Sequence, residues 1–395
     1  MPARAQVQSS KFKVQGSRLP SSVHEARKAK AVAPLLLDWF LHNARDLPWR
    51  RTLDPYAIWI SEIMLQQTQV KTVIPFYERW LRELPTVKHL ARAKTDRVLK
   101  LWEGLGYYTR ARNLQKAARQ IVEHHASEFP RAFDAILALP GIGRYTSGAI
   151  CSIAFDQPTA ILDGNVIRVL TRLFGIRQNP REKATNEILW QLAEQLVRAA
   201  SAGSTFRVRH PAFLLSGPCS ALNQSLMELG ATVCLPRQPR CDACPLARRC
   251  VARRDSLTDL LPNVGPRITP TRRRFVAVVV ERAGRVLVCQ RPPDGLNGSL
   301  WEFPNGEAKH GDAAQLATDL IGTQNESKPA PLCRITHSIT RYRIELEAFT
   351  AQLNGAPVGA TADARWIPLA RLDHLAFTSA HRKVLTHFLA QRVNA

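Results

Sequence analysis

No apolar run in the chain approaches the ~18 residues that a membrane-spanning helix requires. Its longest stretches, at residues 275–280 and 58–64, suit a buried strand and a helix instead. Nor is there an apolar signal-peptide core near Met1. Acidic residues are in short supply: Asp and Glu number 32 against 55 Lys and Arg, for a formal net charge of +23. Self-repulsion on this scale is costly unless a polyanion is the partner, because basic side chains bind phosphates and release condensed counterions. Nucleic acid is therefore the leading partner class, with a ribosome-like or tail-driven basic protein as the alternative. Cysteine is also missing from most of the chain. Four of the 8 lie within residues 234–250, while Cys151, Cys219, Cys289 and Cys333 stand alone. A disulfide framework would spread them. Their clustering favours a metal in a reducing compartment, and a cytoplasmic location is expected.

At 395 residues the chain suggests two domains of similar size. Residues 1–33 carry Arg4, Lys11, Lys13, Arg18, Arg27, Lys28 and Lys30 against a single acid, Glu25, with no sustained helical stripe. They read as a disordered basic tail, although an organellar transit peptide has similar composition. From 34 to 259 apolar residues recur at spacings of three and four, as in Leu36, Trp39 and Phe40 or Ile188, Leu192 and Leu196. Asp54-Pro55 supplies a cap and a first-turn proline. This region is expected to be all-α. Within it, residues 201–218 are Gly/Ser-rich and read as a long loop. Residues 260–274, with Pro262, Pro266, Pro270 and Arg272 to Arg274, have the makeup of a stiff basic linker. From 275 to 395 the period changes to two. Residues 275–280, the pair Ala283-Gly284 and residues 286–289 predict two strands joined by a tight turn. More strands are expected around 299–303, 335–349 and 364–367, and helices near 313–321 and 380–391, which makes a smaller α+β domain.

The cysteines form a comb, Cys234-x6-Cys241-x2-Cys244-x5-Cys250. Four soft ligands on one short loop can wrap a [4Fe–4S] cluster or a single zinc. Zinc ribbons usually carry two CxxC pairs, and only one is present, so the spacing favours iron–sulfur. Arg237 and Arg240 lie between the first two ligands and would face a phosphate backbone. Upstream, Leu139-Pro140-Gly141-Ile142-Gly143 separates two helical stripes. Glycines at 141 and 143 let the backbone turn sharply and present bare N–H groups, and the following helix points its positive end at the same place. That geometry binds a DNA phosphate without reading sequence. An ordinary helix–helix turn is the alternative for the glycines alone.

Together these segments resemble the helix–hairpin–helix DNA glycosylases with an iron–sulfur loop, and among them the MutY-type adenine DNA glycosylases. The resemblance runs from about residue 47 to 250. It rests on Leu47-Pro48-Trp49-Arg50, Ser61-Glu62-Ile63-Met64-Leu65-Gln66-Gln67-Thr68, Gly104-Leu105-Gly106-Tyr107-Tyr108, the hairpin, Leu162-Asp163-Gly164-Asn165-Val166 and the comb. It implies hydrolysis of the N-glycosidic bond of adenine mispaired with 8-oxoguanine or guanine in double-stranded DNA, by a monomer carrying a [4Fe–4S] cluster on Cys234, Cys241, Cys244 and Cys250.

Expulsion of adenine needs a proton on the base, which a carboxylic acid delivers if apolar surroundings raise its pKa. Glu62, on a helix among Ile58, Ile63, Met64 and Leu65, suits that task, and the resemblance assigns it the role of general acid on adenine N7. The oxocarbenium-like sugar left behind is stabilised by a fixed carboxylate, which the resemblance places at Asp163. Isolated Asp-Gly pairs are mostly turns and caps. Asn165 and Tyr145 match residues that order the sugar and water. Tyr145 stands where endonuclease III-like relatives have a lysine nucleophile, and a phenol forms no Schiff base. A monofunctional enzyme that leaves an abasic site is therefore expected. The target base must leave the stack. Gln67 and Tyr107, with Leu65 beside them, match residues that fill or wedge the duplex, and Trp49, Arg50 and Gln224 match the adenine pocket.

The second domain resembles a Nudix-like domain through Gln290-Arg291-Pro292-Pro293 and Leu300-Trp301-Glu302-Phe303-Pro304. A Nudix hydrolase holds magnesium on a carboxylate-rich helix. Here the helix after Gly311 offers only Asp312 and Asp319, so lesion recognition without hydrolase activity is expected. The family's lesion-sensing Phe-Ser-His is replaced by Ile339-Thr340-Arg341, which keeps a hydroxyl at Thr340 and a donor at Arg341 but loses the aromatic wedge. A glycosylase for another mispair or for an oxidised pyrimidine, or a non-catalytic lesion-binding protein with a redox cluster, are the competing readings. The presence of both Glu62 and Asp163 favours an enzyme.

Overall fold

The computed structural model describes residues 22–202, 213–266, 269–295, 297–308, 312–321, 328–339, 341–353 and 364–393. The first part is helical: α1 (Ser22–Asn43), α2 (Pro55–Leu65), α3 (Val70–Glu83), α4 (Val87–Arg92), α5 (Thr95–Trp102), α6 (Thr109–His124), α7 (Phe133–Leu137), α8 (Arg144–Phe155), α9 (Gly164–Phe174), α10 (Lys183–Ala202), α11 (Pro218–Thr232) and α12 (Val251–Arg254). No helix among the described residues is long and apolar enough to cross a membrane.

Helix α2 begins as its sequence dictates. The Asp54 carboxylate accepts from Tyr56 N–H at 3.0 Å, with Pro55 in the first turn. Every residue from Tyr56 to Met64 is buried, so α2 is a central helix covered on all sides and not an amphipathic surface one. It packs against α8. Gly148 lets α8 pass close to the next segment, since a Cβ there would sit 2.2 Å from the Ala160 carbonyl oxygen. Asp156 ends α8 in the left-handed region, and its carboxylate accepts from Cys219 and Ser220 N–H at 2.8 and 3.1 Å. The end of α8 thereby caps the start of α11. Helix α9 opens on Asp163, whose carboxylate accepts from Val166 N–H at 2.7 Å, and closes on Gly175 at φ +72°. These joints bring α2, α8, α9 and α11 around one space.

Two sequence expectations need correction. The disordered tail expected over 1–33 gives way at Ser22 to α1, which continues through Pro34. Its buried face is Ala29, Val32, Ala33, Leu36 and Leu37, packed in the helical core. Small alanines among Arg27, Lys28 and Lys30 hide that stripe, and Lys28 is not a free cation: its Nζ donates to the Leu173 carbonyl at 2.6 Å and so satisfies the end of α9. Residues 1–21 lie outside the described residues. The linker expected over 260–274 is likewise shorter, because β1 already starts at Thr271. Its first residues pair with β6 from Thr271↔Tyr342 onward, and Arg273 and Arg274 form ion pairs with Glu307 and Glu347. Partnered arginines let polar residues enter the strand. Of the loop expected over 201–218, residues 203–212 lie outside the described residues; α10 runs to Ala202 and α11 opens at Pro218.

The second part contains β1 (Thr271–Arg282), β2 (Arg285–Gln290), β3 (Trp301–Glu302), β4 (Asn305–Glu307), α13 (Ala313–Ile321), β5 (Ala330–Ile339), β6 (Tyr342–Gln352), β7 (Ala364–Pro368) and α14 (Ser379–Val393). Its sheet runs β3-β2-β1-β6-β5, with β4 on β1 and β7 on β2. The β1–β2 turn is Ala283-Gly284, both at positive φ, as a two-residue hairpin requires. Strand β1 pairs in parallel with β6, and its apolar run is explained by burial on both faces. Val276, Val278 and Val280 join the core under α13, while Ala277 and Val279 join the core under α14.

Candidate active site

Helices α2, α8, α9 and α11, together with the short turn Pro48–Arg50, enclose a cavity of about 500 Å³. Trp49, Arg50, Glu62, Leu65, Gln67, Tyr145, Asp163, Asn165 and Gln224 all line it. Residues from widely separated stretches of sequence therefore converge on one space.

Glu62 is buried, and Tyr145 Oη donates to its Oε2 at 2.7 Å. Burial pushes its carboxyl up to about 7, assisted by the nearby Asp163 carboxylate and opposed by the Tyr145 hydrogen bond and the Arg50 charge. Burial also pushes the Tyr145 phenol far above its ordinary value, so it stays a proton donor. The same hydroxyl lies 3.4 Å from Met227 Sδ. Asp163 has more help: besides Val166 N–H, its carboxylate accepts from Asn165 Nδ2 at 3.0 Å. Burial raises its pKa, and these donors offset part of that rise. The Asn165 amide is held in turn by Arg168, whose Nη2 donates to Oδ1 at 2.7 Å. Asp163 is thus both the cap of α9 and a cavity carboxylate.

A buried ion-pair network missed in the sequence forms the cavity's other wall. Arg50 donates to Gln224 Oε1 at 3.1 Å and to Glu228 Oε2 at 2.9 Å, and Arg45 pairs with both oxygens of Glu228 at 2.7 and 2.9 Å. Burial alone would raise the pKa of Glu228, but hydrogen bonds and charge from Arg45 and Arg50 outweigh it and hold the carboxyl below its ordinary value. The available signal was an acid one helical turn after Gln224 on a helix with no other charged residue. Trp49 is buried edge-on to Tyr77, with ring centroids 5.6 Å apart.

The remaining residues divide between other places. Gln67 and Tyr107, at φ +57° and +47°, occupy backbone conformations unusual for their side chains. Gln67 also borders a second cleft of about 510 Å³ between the two domains, where half-exposed Tyr107 lies. On the far side of that cleft stand His337, Ser338 and Ile339. Arg341, expected to read the lesion there, is turned onto its neighbour instead: it lies over the Tyr342 ring and donates to the Tyr342 hydroxyl at 2.9 Å. Thr340 lies outside the described residues. Nothing in the sequence pattern singles out His337, whose Nδ1 has no hydrogen-bond partner.

Gly141, at φ +77°, turns the chain into Gly143 and α8, and a Cβ at 141 would strike Asn113 at 2.6 Å. Arg237 and Arg240 are exposed. The four comb cysteines are half-buried and line one cavity of about 30 Å³. Arg172 Nη1 donates to Cys234 Sγ at 3.4 Å, and Cys250 Sγ donates to the Arg172 carbonyl at 3.4 Å. Among the described residues no group of three or more His, Cys, Asp or Glu is arranged to hold a metal ion. The four thiols share the lining of one small cavity, and an all-thiolate donor set has the chemistry an iron–sulfur centre needs. In the second domain, Asp312 caps α13 and Asp319 accepts from Gln315.

Residues 60–195 match the HhH-GPD superfamily of base excision DNA repair proteins, and residues 275–387 match the NUDIX domain. The chain is 36% identical to an adenine DNA glycosylase of Rattus norvegicus, over 88% of this chain and 76% of that protein. It is 33% identical to the adenine DNA glycosylase of Homo sapiens, over 94% and 77%. Its helical part resembles the structure of a thermostable thymine-DNA glycosylase, with a TM-score of 0.50 and 29% identity, covering 60% of this chain and 100% of that one.

Proposed function

The chain belongs to the adenine DNA glycosylases, and we propose that it removes adenine paired with 8-oxoguanine, and more slowly adenine paired with guanine, leaving an abasic site. The observation that carries this reading is the pair Glu62 and Asp163 on one cavity with different supplies of hydrogen-bond donors. Glu62 accepts from the Tyr145 hydroxyl and keeps its proton near neutrality. Asp163 accepts from both Val166 and Asn165 and is the better-supported anion. Two carboxyls on one cavity with unequal donor supply can divide acid work from electrostatic work.

An adenine rotated out of the duplex enters between Trp49, Arg50 and Gln224. Glu62 donates its proton to the N7 nitrogen of the base, the N-glycosidic bond breaks, and the sugar gains oxocarbenium character. The Asp163 carboxylate faces that charge, with Asn165 keeping it oriented. Glu62, now ionised, accepts a proton from the attacking water, and the hydroxyl adds to the sugar. Tyr145 steadies Glu62 and offers no amine, so the sugar forms no Schiff base and the strand stays uncut.

Cys234, Cys241, Cys244 and Cys250 would hold a [4Fe–4S] cluster whose work is structural, stiffening the loop that presents Arg237 and Arg240 to phosphates. The second domain would read the base opposite adenine, with His337, Ser338 and Ile339 across the cleft from Gln67 and Tyr107, and without hydrolysing nucleotides.

Single-turnover cleavage of duplexes carrying A:8-oxoguanine, A:G, T:G and thymine glycol tests the reading. Adenine release, fastest opposite 8-oxoguanine, is expected. Activity confined to T:G or thymine glycol would overturn it, and equal rates on the two adenine substrates would overturn the lesion preference alone.

A further inference from the structure

The carboxylate of Glu103 is largely buried at the joint between the two domains, far in sequence from most of the groups it holds. Its Oε1 accepts from Phe377 N–H and from Arg382 Nε, both at 2.8 Å, and its Oε2 accepts from Lys100 Nζ at 2.6 Å. The same short segment of the second domain is held at further points. The Leu375 carbonyl accepts from Lys100 Nζ at 3.2 Å and Arg382 Nη2 at 2.6 Å, and the Phe377 carbonyl accepts from Tyr108 Oη at 3.2 Å. Ala376 and Leu300 are packed into the core of the helical domain.

This segment also belongs to the second domain's framework. Trp301 N–H donates to the Ala376 carbonyl, and Thr378 N–H to the Trp301 carbonyl, at 2.9 and 3.0 Å. On the other side, Glu103 leads directly into Gly104, Leu105, Gly106 and Tyr107. Arg110 binds that loop to the end of α2, donating to the carbonyls of Leu105 and Gly106 and to those of Ile63, Met64 and Gln66, at 2.6 to 3.2 Å. Arg110 thus ties the helix that carries Glu62 to the loop that follows Glu103, and Glu103 ties the start of that loop to the domain that carries His337, Ser338 and Ile339.

We propose that Glu103 is a positioning residue for lesion specificity: through Phe377 and Arg382 it sets the His337–Ile339 edge at its working distance from Gln67 and Tyr107. This rests on the reading that the cleft senses the base opposite adenine. Hydrogen bonds to an ionised group are about twice as strong as neutral ones and fix direction, so this one carboxylate holds register where the packed alanine and leucine resist only separation. Release of the edge weakens its grip on 8-oxoguanine. The adenine cavity has none of Glu103, Phe377 and Arg382 in its lining, so adenine release itself is expected to change little.

The test uses the full chain and compares single-turnover adenine release from A:8-oxoguanine and A:G duplexes. Glu103→Gln keeps the size and an acceptor but loses the charge; Arg382→Gln and Arg382→Lys probe the other partner. For Glu103→Gln and Arg382→Gln the preference for 8-oxoguanine is expected to fall by about tenfold, within the range of ordinary coupling between sites, with the A:G rate changing less than about twofold. Arg382→Lys, which keeps the cation, should restore most of the preference. An unchanged preference in both glutamine variants, or rates on both duplexes falling in parallel, overturns the proposal. Thermal unfolding of each variant ensures that the rates compared are those of folded protein. Absence of any preference in the unaltered chain would be seen before a variant is made and would overturn the lesion-reading assignment itself, and this proposal with it.

Discussion

Tyr145 Oη donates to Glu62 Oε2 at 2.7 Å across 83 residues of sequence, and Glu62 holds its proton to about pH 7 in spite of that bond. The hydrogen bond favours the ionised form, so burial is the stronger influence. A general acid must be protonated to act. The active form is therefore present below about pH 7 and is lost as pH rises through it. Single-turnover adenine release is expected to decline above that point, and Glu62→Gln to abolish release while leaving duplex binding intact. A binding isotherm and a pH–rate profile of the unaltered chain check this; an undiminished rate in strongly alkaline buffer would remove Glu62 from the role.

Replacing Tyr145 by Phe removes the donor that favours ionised Glu62. The pKa of Glu62 should rise, and the decline in rate should move to higher pH. The maximal rate should fall by roughly tenfold, because the freed carboxyl is less well oriented. The pH–rate profile of Tyr145→Phe against the unaltered chain measures both.

The same burial makes Glu62 a stability liability. Its folded value, about 7, lies above the ordinary 4.5, so the folded state increasingly resists ionisation as pH rises from the lower value to the higher. Above the folded value the cost is fully developed, at roughly 3 kcal/mol. Glu62→Gln should therefore raise the unfolding midpoint at about pH 8 and leave it unchanged near pH ~4. Denaturant titrations at the two pH values decide the sign.

Glu228 forms ion pairs with both Arg50 and Arg45 beside the cavity. Its replacement by Gln leaves Arg50 as an uncompensated buried cation, which should cost about 3 kcal/mol in urea unfolding. The freed charge also favours ionised Glu62, so the decline in rate should shift to lower pH, opposite to the shift in Tyr145→Phe. Shifts of the same sign in the two variants would contradict this electrostatic account.

The comb makes a spectroscopic prediction. Anaerobically purified protein should show broad absorbance near ~400 nm, and Cys244→Ser should reduce it, since the ligation is all thiolate. Metal analysis that finds zinc and no iron would overturn the cluster. Reversing Arg237 or Arg240 to Glu should weaken binding to all duplexes alike and reduce the salt slope by about one unit for each phosphate no longer neutralised.

Much of this protein is legible residue by residue. Asp54-Pro55 starts a helix, Ala283-Gly284 turns a hairpin and Gly141 bends a chain because each acts on its immediate neighbours. The resemblance likewise picked out nine residues that converge on one cavity. The start of α1 escaped notice because alanines bury a face without announcing it. The contact of Arg341 with the Tyr342 ring and hydroxyl was not legible, because a motif aligned along a strand does not say which way a side chain at its end turns.

Sequence by itself determined the helical and the mixed domain, the comb and the hairpin through spacings of a few residues, and its resemblance to a known family picked out the two carboxylates. Tertiary structure alone decided that Tyr145 meets Glu62, that Glu228 pairs with Arg50 and that Glu103 binds Phe377 and Arg382. The reason is physical. Local pattern follows from the backbone's short repeat, whereas the charge state of Glu62 depends on how much water, and which distant side chains, the finished fold leaves around it.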